Sequence, residues 1–467
     1  MRAARFVLPA LLLGAVAVPV TTARAADDAC LSPDSQFAPT CVPEAAALNL
    51  ARQVCDYEYA PGCDLTAFAD PGYAVDADPN PDAPRQWMVG AVHEHSGYSD
   101  GDIRSVPRDY FEAARDGTNG MVLDFLFSSE HSDNASITPT TNAECLTGGP
   151  DAFVTCGHFT DNSFYWKWPA TLKQATESSV TGGFTGIRGF EWTNDVYNHM
   201  NVFFSTNFRN VKVDGSYLSM QRMWEWLQTP VAEGGGADGL VTFNHPGSNP
   251  KLSPFDGGFP HTEVLASTGI ANWNELEYIP EVDARVVGME INGGEDIAYY
   301  VQALQNGWHI GAVAAEDHHG TSWASPSMHK TLILTGGRTP QDYYWAFSQR
   351  RTVAVHNDLL AGGVAPTIDF TADGGAHVLG SRVDAEPGST HTLSVSTAGL
   401  PTDARVALIG SEAGQTAPIP VPADGSVEVT TDGDDWWFAV VCVGGDASVP
   451  CGSDTNYSMV TAPIWFE

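Results

Sequence analysis

Positive charge is scarce in this sequence. Only 22 lysines and arginines stand against 57 aspartates and glutamates among 467 residues, and the formal net charge is −35. A surface this acidic repels the phosphates of nucleic acids and the headgroups of anionic membranes. We therefore expect neither nucleic acid nor a membrane to be a partner, and we attribute the excess negative charge to the solubility of an exported protein.

Several functional signatures are absent as well. After the first 25 residues, no apolar run is long enough to cross a bilayer. The sequence has no P-loop, no glycine-rich dinucleotide motif and no Gly-x-Ser-x-Gly elbow, which disfavours nucleotide-driven chemistry and a serine nucleophile. It also has no Cys-x-x-Cys, so a thiolate metal site is not expected.

The first 25 residues have the pattern of a secretory signal peptide. Arg2 and Arg5 provide a positive start, residues 6–20 are largely apolar, and Ala23-Arg24-Ala25 forms an Ala-x-Ala cleavage site. We therefore expect cleavage after Ala25 and a secreted protein.

All eight cysteines lie beyond this cleavage site. An even number of cysteines in an exported chain indicates disulfides. Because the cysteines fall as close neighbours, the simplest hypothesis joins each to the next. The pairs are then Cys30–Cys41, Cys55–Cys63, Cys145–Cys156 and Cys442–Cys451. Eight cysteines allow many other connectivities.

Composition divides the rest of the chain into three regions. Residues 26–84 hold four cysteines and no histidine, and we interpret them as a disulfide-tied extension. Residues 85–362 alternate short apolar runs with amphipathic segments, which predicts an α/β domain of parallel βα units. Seven such runs favour a barrel over a small open sheet. Residues 363–467 contain short apolar runs separated by Gly, Pro and Asp turns, which predicts a β-sandwich.

These predictions rest on specific segments. The seven predicted strands are residues 87–92, 121–128, 186–190, 200–205, 240–243, 286–291 and 310–315. The predicted helices are residues 107–115, 165–178, 219–233, 297–306 and 340–351. The predicted sandwich strands are residues 392–396, 406–410, 426–431 and 436–443.

Histidines and carboxylates recur at the ends of the predicted barrel strands. Of 14 histidines, only His377 and His391 lie outside residues 93–356. Residues two apart in a strand point to the same side, so His93 and His95 can bind one ion together. The residues found at or just beyond strand ends are His93, His95, Asp100, His131, Glu191, His199, His245, Asp317, His318, His319 and His356. Burying so many charged groups is costly without partners, and a metal cluster supplies the partners.

This ordered set resembles the PHP superfamily, named for its polymerase and histidinol phosphatase members. The family hallmarks are His-x-His with a downstream Ser-Asp-Gly, an Asp-His pair, a Glu, two separate His and a terminal Asp-x-His, and the likeness covers residues 86–356. It implies a distorted seven-stranded (β/α) barrel of the PHP type. One departure is Glu130, which stands where the family has Asp before its histidine, here His131. We expect Glu130 to lie behind the ligands.

The resemblance also implies up to three divalent metal ions. One ion would take His93, His95, Glu191 and Asp317. A second would share Glu191 and add His199 and His245, and a third would take Asp100, His131 and His319. Mixed imidazole and carboxylate ligands suit zinc, manganese or iron.

The chemistry expected of such a centre is hydrolysis of a small-molecule ester, most simply a phosphate ester attacked by metal-activated hydroxide. Glu191 and Asp317 would lie at the centre of catalysis, and His318 or His356 would serve the leaving group. Two alternatives stay open. Some PHP relatives with a C-terminal β domain hydrolyse carboxyl or carbamate esters, and residues 460–465 resemble theirs. The chain could also be a non-catalytic secreted binding protein with a degenerate barrel.

Overall fold

A computed structural model of the chain describes residues 77–102, 105–132, 164–213, 216–247, 273–294, 296–411, 418–444, 451 and 457–467. The predicted signal peptide, residues 26–76 of the predicted extension and the first three predicted cysteine pairs lie outside the described residues. Cys442 and Cys451 form a disulfide, which confirms the fourth pair. None of the helices in the described ranges is both long and apolar enough to span a bilayer.

The region between residues 77 and 362 contains short strands and five helices of nine or more described residues. The strands are β1 Gln86–Ala91, β2 Phe125–Phe127, β3 Glu130–His131, β4 Thr185–Ile187, β5 Gly189–Trp192, β6 Met200–Phe203, β7 Lys212–Val213, β8 Ser216–Tyr217, β9 Leu240–Phe243, β10 Val286–Glu290, β11 Gly311–Val313, β12 Lys330–Thr335 and β13 Thr352–Val355. The helices are α1 Pro107–Asp116, α2 Phe164–Ser178, α3 Met220–Gln228, α4 Asp296–Gln305 and α5 Pro340–Ser348.

Apart from the separate β7–β8 pair, these strands form two sheets whose backbone pairings do not close into one ring within the described residues, so the predicted barrel is not confirmed. The first sheet runs β4-β2-β1-β12-β13 and the second runs β3-β5-β6-β9-β10-β11. The pairs β1–β2, β2–β4, β3–β5, β9–β10 and β10–β11 are parallel, as predicted. The pairs β1–β12, β5–β6 and β6–β9 are antiparallel.

The chain leaves the first sheet and enters the second at two places, between β2 and β3 and between β4 and β5. Run 186–190 divides at Arg188, whose guanidinium donates to the backbone carbonyls of Trp168, Ser205 and Thr206. Run 121–128 ends at Ser128, whose hydroxyl donates to the Gly189 carbonyl at 3.1 Å. Side-chain hydrogen bonds therefore replace a continuous backbone ladder where the sheets meet.

An apolar core fills the space between the two sheets. Both sheets contribute to it, through Phe125 and Ile333 of the first and Phe203 of the second. Helix α5 buries Tyr343 and Phe347 in the same cluster. Full burial of one such side chain stabilises the fold by about 1.5–3 kcal/mol, so this core holds the sheets together without a closed ring of strands.

Helix α3 is shorter than the predicted segment 219–233. It ends at Gln228 because Pro230 follows and disfavours helical backbone at Thr229, which is extended (φ −75°, ψ 132°). A 3-10 turn at Val231–Glu233 completes the segment. The other four predicted helices begin and end within three residues of the helices of the structure.

The C-terminal region is built from strands. They are β14 Thr367–Ala372, β15 His377–Val378, β16 Arg382–Val383, β17 Thr390–Ala398, β18 Arg405–Gly410, β19 Ile419–Pro420, β20 Ser426–Thr430, β21 Asp435–Cys442, β22 Met459–Thr461 and β23 Ile464–Phe466. Strands β15-β14-β17-β20 form a separate sheet. Its residues Phe370 and Leu393 share a buried cluster with Leu408 of β18 and Trp437 of β21. Because β22 pairs with β13, the first sheet continues across the predicted boundary at residue 362.

Candidate metal centre

The predicted ligands lie at one edge of the two sheets. His93 and His95 follow β1, His131 ends β3, and Glu191 lies in β5. His199 precedes β6, and because β6 is antiparallel to β5, its start lies at the edge where β5 ends. The remaining strands bring His245 after β9 and Asp317 and His319 after β11. Asp100 lies in the turn that follows His95.

Glu191 contacts four of the histidines. Its Oε1 lies 3.2 Å from His93 Nε2, 3.1 Å from His199 Nδ1 and 3.4 Å from His245 Nε2. Its Oε2 lies 3.4 Å from His131 Nε2. The side chain is 1% exposed, so Glu191 is the buried carboxylate around which these imidazoles converge.

Two more carboxylates lie nearer the solvent. Asp317 Oδ1 is 3.1 Å from His95 Nε2, 3.4 Å from His93 Nε2 and 3.7 Å from His319 Nδ1. Asp100 Oδ1 is 3.2 Å from His319 Nε2, 3.5 Å from His131 Nε2 and 3.9 Å from His95 Nδ1. The structure therefore brings all nine predicted ligand residues into one cluster, the candidate metal centre.

Three groups within this centre offer ligand atoms that all lie within 4.8 Å of one another. They are His95, Asp100, His131 and His319; His93, His95 and Asp317; and His93, Glu191 and His245. The first group contains the set expected for the third ion and adds His95. The second contains three of the four residues expected for the first ion. In the third group, His93 stands where His199 was expected, although His199 still contacts Glu191.

Two observations support a fit between these residues and divalent metal ions. Zinc lies about 2.0–2.2 Å from nitrogen and oxygen ligands, which places two ligands of one ion roughly 3.0–3.4 Å apart at octahedral or tetrahedral angles. The contacts of Glu191 and Asp317 with His93 and His95 span 3.1–3.4 Å. In addition, the buried Nε2 atoms of His93 and His131 have no hydrogen-bond partner among the described residues, although carboxylate oxygens lie near them.

The charges of the centre shift the pKa values of its members. Burial alone would raise the pKa of Glu191, but the surrounding imidazoles, His199 and His93 foremost, hold it well below its usual range. Burial opposes protonation of His199, yet Glu191 and Asp195 raise its pKa to about 10. In the same way, Asp100 and Asp317 outweigh burial and raise the pKa of His319 to about 9. Metal ligation requires such imidazoles to release their protons.

Backbone geometry at two ligand positions is unusual. His245 has φ 32° and Asp317 has φ 45°, in the left-handed region that non-glycine residues seldom adopt. Strained backbone of this kind is concentrated at functional sites, where the surrounding structure enforces it.

Glu130 contacts the turn that carries Asp100. It is buried and accepts hydrogen bonds from the Ser96 backbone N–H at 3.1 Å and from the Ser99 hydroxyl at 2.6 Å. It is absent from the three ligand groups. Its contacts are those of a residue that shapes the turn behind the ligands.

The two histidines expected to serve the leaving group are absent from the three ligand groups. His318 Nε2 accepts a hydrogen bond from the Ser322 backbone N–H at 3.1 Å. His356 Nε2 donates to the Ile291 carbonyl at 2.7 Å, and its ring contacts His329. The partner of His318 is only four residues away in sequence, whereas the partner of His356 is 65 residues away. Their roles at a leaving group stay predictions.

Sequence reasoning missed several residues that contact the ligands. Asn244 donates to Glu191 Oε1 at 3.0 Å, and Thr193 donates to Glu191 Oε2 at 3.2 Å. Glu290, the last residue of β10, lies 2.7 Å from His93 Nδ1. Glu290 could have been found from the sequence, because it is the next-to-last residue of the predicted strand 286–291, which ends at the same edge as the predicted ligands.

Comparison with known proteins leaves the family unassigned. No family model matches the chain, and no curated protein matches it. A solved structure that is similar over 83% of this chain and 98% of its own has a TM-score of 0.37 and 16% identity. It is a two-domain protein from Bacteroides vulgatus described as containing a predicted PHP-like metal-dependent phosphoesterase. Similarity at this level establishes no shared fold, so membership in the PHP superfamily stays a prediction from the motifs.

Proposed function

We propose that this chain is a metal-dependent hydrolase that cleaves a phosphate ester of a small molecule. The observation that carries the proposal is the candidate metal centre itself, where six histidines from five strand ends surround three carboxylates at 3.1–3.9 Å. Two or three ions of zinc, manganese or iron fit this mixed donor set.

The residues of the centre differ in charge and in solvent exposure, and these differences suggest separate roles. Glu191, Asp317 and Asp100 would supply the negative charge that holds the ions, and the six imidazoles would supply the remaining donors. Divalent ions in such sites lower the pKa of bound water and polarise a phosphoryl oxygen. The side chains of Asp100, His319 and Asp317 are 37–41% exposed, whereas those of Glu191 and His93 are at most 1% exposed. A substrate would therefore approach from the side of Asp100 and His319.

The proposal includes secretion. It is supported by the signal-peptide pattern of residues 1–25 and by the Cys442–Cys451 disulfide, since disulfides persist in oxidising compartments. We propose that neither nucleic acid nor a membrane is a partner, because the net charge of −35 opposes binding to polyanions.

The test begins with metal analysis of the purified chain and a substrate panel. A phosphomonoester, a phosphodiester and a carboxyl ester are assayed before and after chelation. We expect phosphoester hydrolysis that chelation abolishes and added metal restores. Metal-dependent turnover of carboxyl esters alone would overturn the phosphoesterase assignment, and protein that binds no metal and hydrolyses none of the three would favour the binding-protein alternative.

A pair of variants ties this activity to the centre. His93→Ala should lose metal and hydrolysis together. The matched control is His309→Ala, because His309 also lies between two carboxylates, 2.8 Å from Asp283 and 2.6 Å from Glu467, but outside the centre. If both variants keep metal and activity at wild-type levels, the site assignment is wrong.

A further inference from the structure

Glu290 contacts two ligand residues of the metal centre from behind. Its Oε1 lies 2.7 Å from His93 Nδ1 and accepts a hydrogen bond from Asn201 Nδ2 at 3.3 Å. Its Oε2 accepts a hydrogen bond from the His245 backbone N–H at 2.9 Å. Glu290 is completely buried, so these three contacts come from the protein interior.

The contact with His93 determines which ring nitrogen faces the other ligands. Because Nδ1 lies at hydrogen-bond distance from a carboxylate, it holds the proton of the neutral ring, and Nε2 is left with the lone pair. Nε2 is the nitrogen that lies 3.2 Å from Glu191 and 3.4 Å from Asp317. Glu290 therefore orients the lone pair of His93 into the centre.

The contact with His245 holds strained backbone. His245 has φ 32°, a conformation that persists only when its surroundings enforce it. Glu290 binds the N–H of this residue, and Asp296 accepts a hydrogen bond from the Gly247 N–H at 2.7 Å two residues later. The turn that presents the His245 ring is thus fixed by two buried carboxylates.

We propose that Glu290 is a positioning residue of the metal centre, holding the His93 ring and the His245 backbone so that two ligands from different sheets meet at Glu191. This inference rests on the proposed metal-dependent function. Outer-shell carboxylates of this kind typically change metal affinity by about 10–100-fold when they are removed.

The decisive variant is Glu290→Gln, which keeps the size of the side chain. All three partners of Glu290 donate hydrogen bonds, and a glutamine has only one accepting oxygen, so it cannot serve His93 and His245 together. Zinc and manganese dissociation constants are measured by chelator competition on the full chain. We expect them to rise about 10–100-fold.

Asp283→Asn is the matched control. Asp283 is buried and accepts hydrogen bonds from the backbone N–H of His309 at 3.0 Å and from its Nδ1 at 2.8 Å, the same two kinds of contact, away from the centre. We expect this variant to bind metal like the wild type. Equal weakening in both variants, or a Glu290→Gln dissociation constant within about twofold of wild type, would overturn the positioning role.

Two further outcomes keep the inference separate from the proposed function. Wild-type protein that binds neither metal would overturn the function itself. If Glu290→Gln does not fold, the wild type is labelled with ¹⁵N-histidine and loaded with ¹¹³Cd, and the His93 signals are assigned from a His93→Gln spectrum. Coupling of cadmium to Nε2 with a proton on Nδ1 supports the inference, whereas coupling to Nδ1 contradicts it.

Discussion

Two groups of histidines and carboxylates in this molecule differ in how their charge is balanced. The first is the candidate metal centre. The second, the His309 cluster, comprises His309, Asp283, Glu467, Arg350 and Arg382. In that cluster Arg382 pairs with Glu467 at 2.8 Å, and Arg350 donates to the carbonyls of His309 and Asp283, each at 2.6 Å. Arginine side chains of the protein therefore supply the positive charge that balances the carboxylates of the His309 cluster.

The metal centre has no such compensation among the described residues. The ion pairs recorded there for Glu191, Asp317 and Asp100 all involve histidines, which are charged only when protonated. Without metal, protons on residues such as His199 and His319 must balance the carboxylates. The His309 cluster is balanced by its own guanidinium groups, whereas the imidazoles and carboxylates of the candidate metal centre could hold an external cation.

The largest expected effect follows from replacing the central carboxylate of the metal centre. Glu191→Gln keeps the volume but removes the charge that four histidines face. We expect hydrolysis to fall by more than about 100-fold, because loss of a ligand should exceed the 10–100-fold effect of an outer-shell residue. Steady-state assays with saturating metal measure this, and activity within tenfold of wild type would contradict it.

The second-largest effect should be the gain in stability on addition of metal, which should depend on the candidate metal centre and not on the His309 cluster. Ligands that bind only the folded state stabilise it, by about 2.7 kcal/mol at 100 times the dissociation constant. Thermal unfolding of chelated protein, with and without zinc or manganese, should show this gain in the wild type and in His309→Ala. The gain should vanish in His93→Ala. An equal gain in all three proteins would place the ion elsewhere.

Metal affinity should depend on pH. The pKa values of His199 and His319 are raised in the metal-free protein, to about 10 and about 9. Protons therefore occupy both rings at neutral pH, and binding must displace them. The dissociation constant should fall as pH rises toward 9, by about tenfold per pH unit for each proton released. Affinity that is constant from pH 6 to 9 would show that these rings do not bind the ion.

The smallest effect is expected at the His309 cluster. Burial raises the pKa of Asp283, but the hydrogen bond and charge of His309 outweigh it, so the folded-state pKa lies below its ordinary value. This group therefore stabilises the fold above its unfolded pKa and loses that contribution as pH falls through the folded value. Asp283→Asn should cost about 1–2 kcal/mol at neutral pH and less in acid. Denaturant unfolding at several pH values measures both.

The residues that gather in the candidate metal centre could be predicted because their sequence pattern is local. His93 and His95 alternate at the end of an apolar run, and Glu191 and His245 also terminate or follow such runs. A strand end is visible in a short window of sequence, and the ends of neighbouring strands meet at one edge of a sheet.

Other features depended on distant partners. Glu290 was missed because its partners, His93 and His245, lie 197 and 45 residues away in sequence. The hydrogen bond of His356 to the Ile291 carbonyl likewise joins residues 65 positions apart. The crossings between sheets at Ser128 and Arg188 were also invisible, because hydrogen bonds to remote backbone define them.

Sequence alone determined which side chains would gather and what chemistry they favour, since residue type and strand periodicity are properties of short segments. Tertiary structure decided how the strands divide between two sheets, how the first sheet continues into the C-terminal region, and which nitrogen of His93 faces Glu191. Those outcomes depend on hydrogen bonds and packing between residues far apart in the chain. The free energies of such long-range interactions cannot be read from the pattern of a short segment.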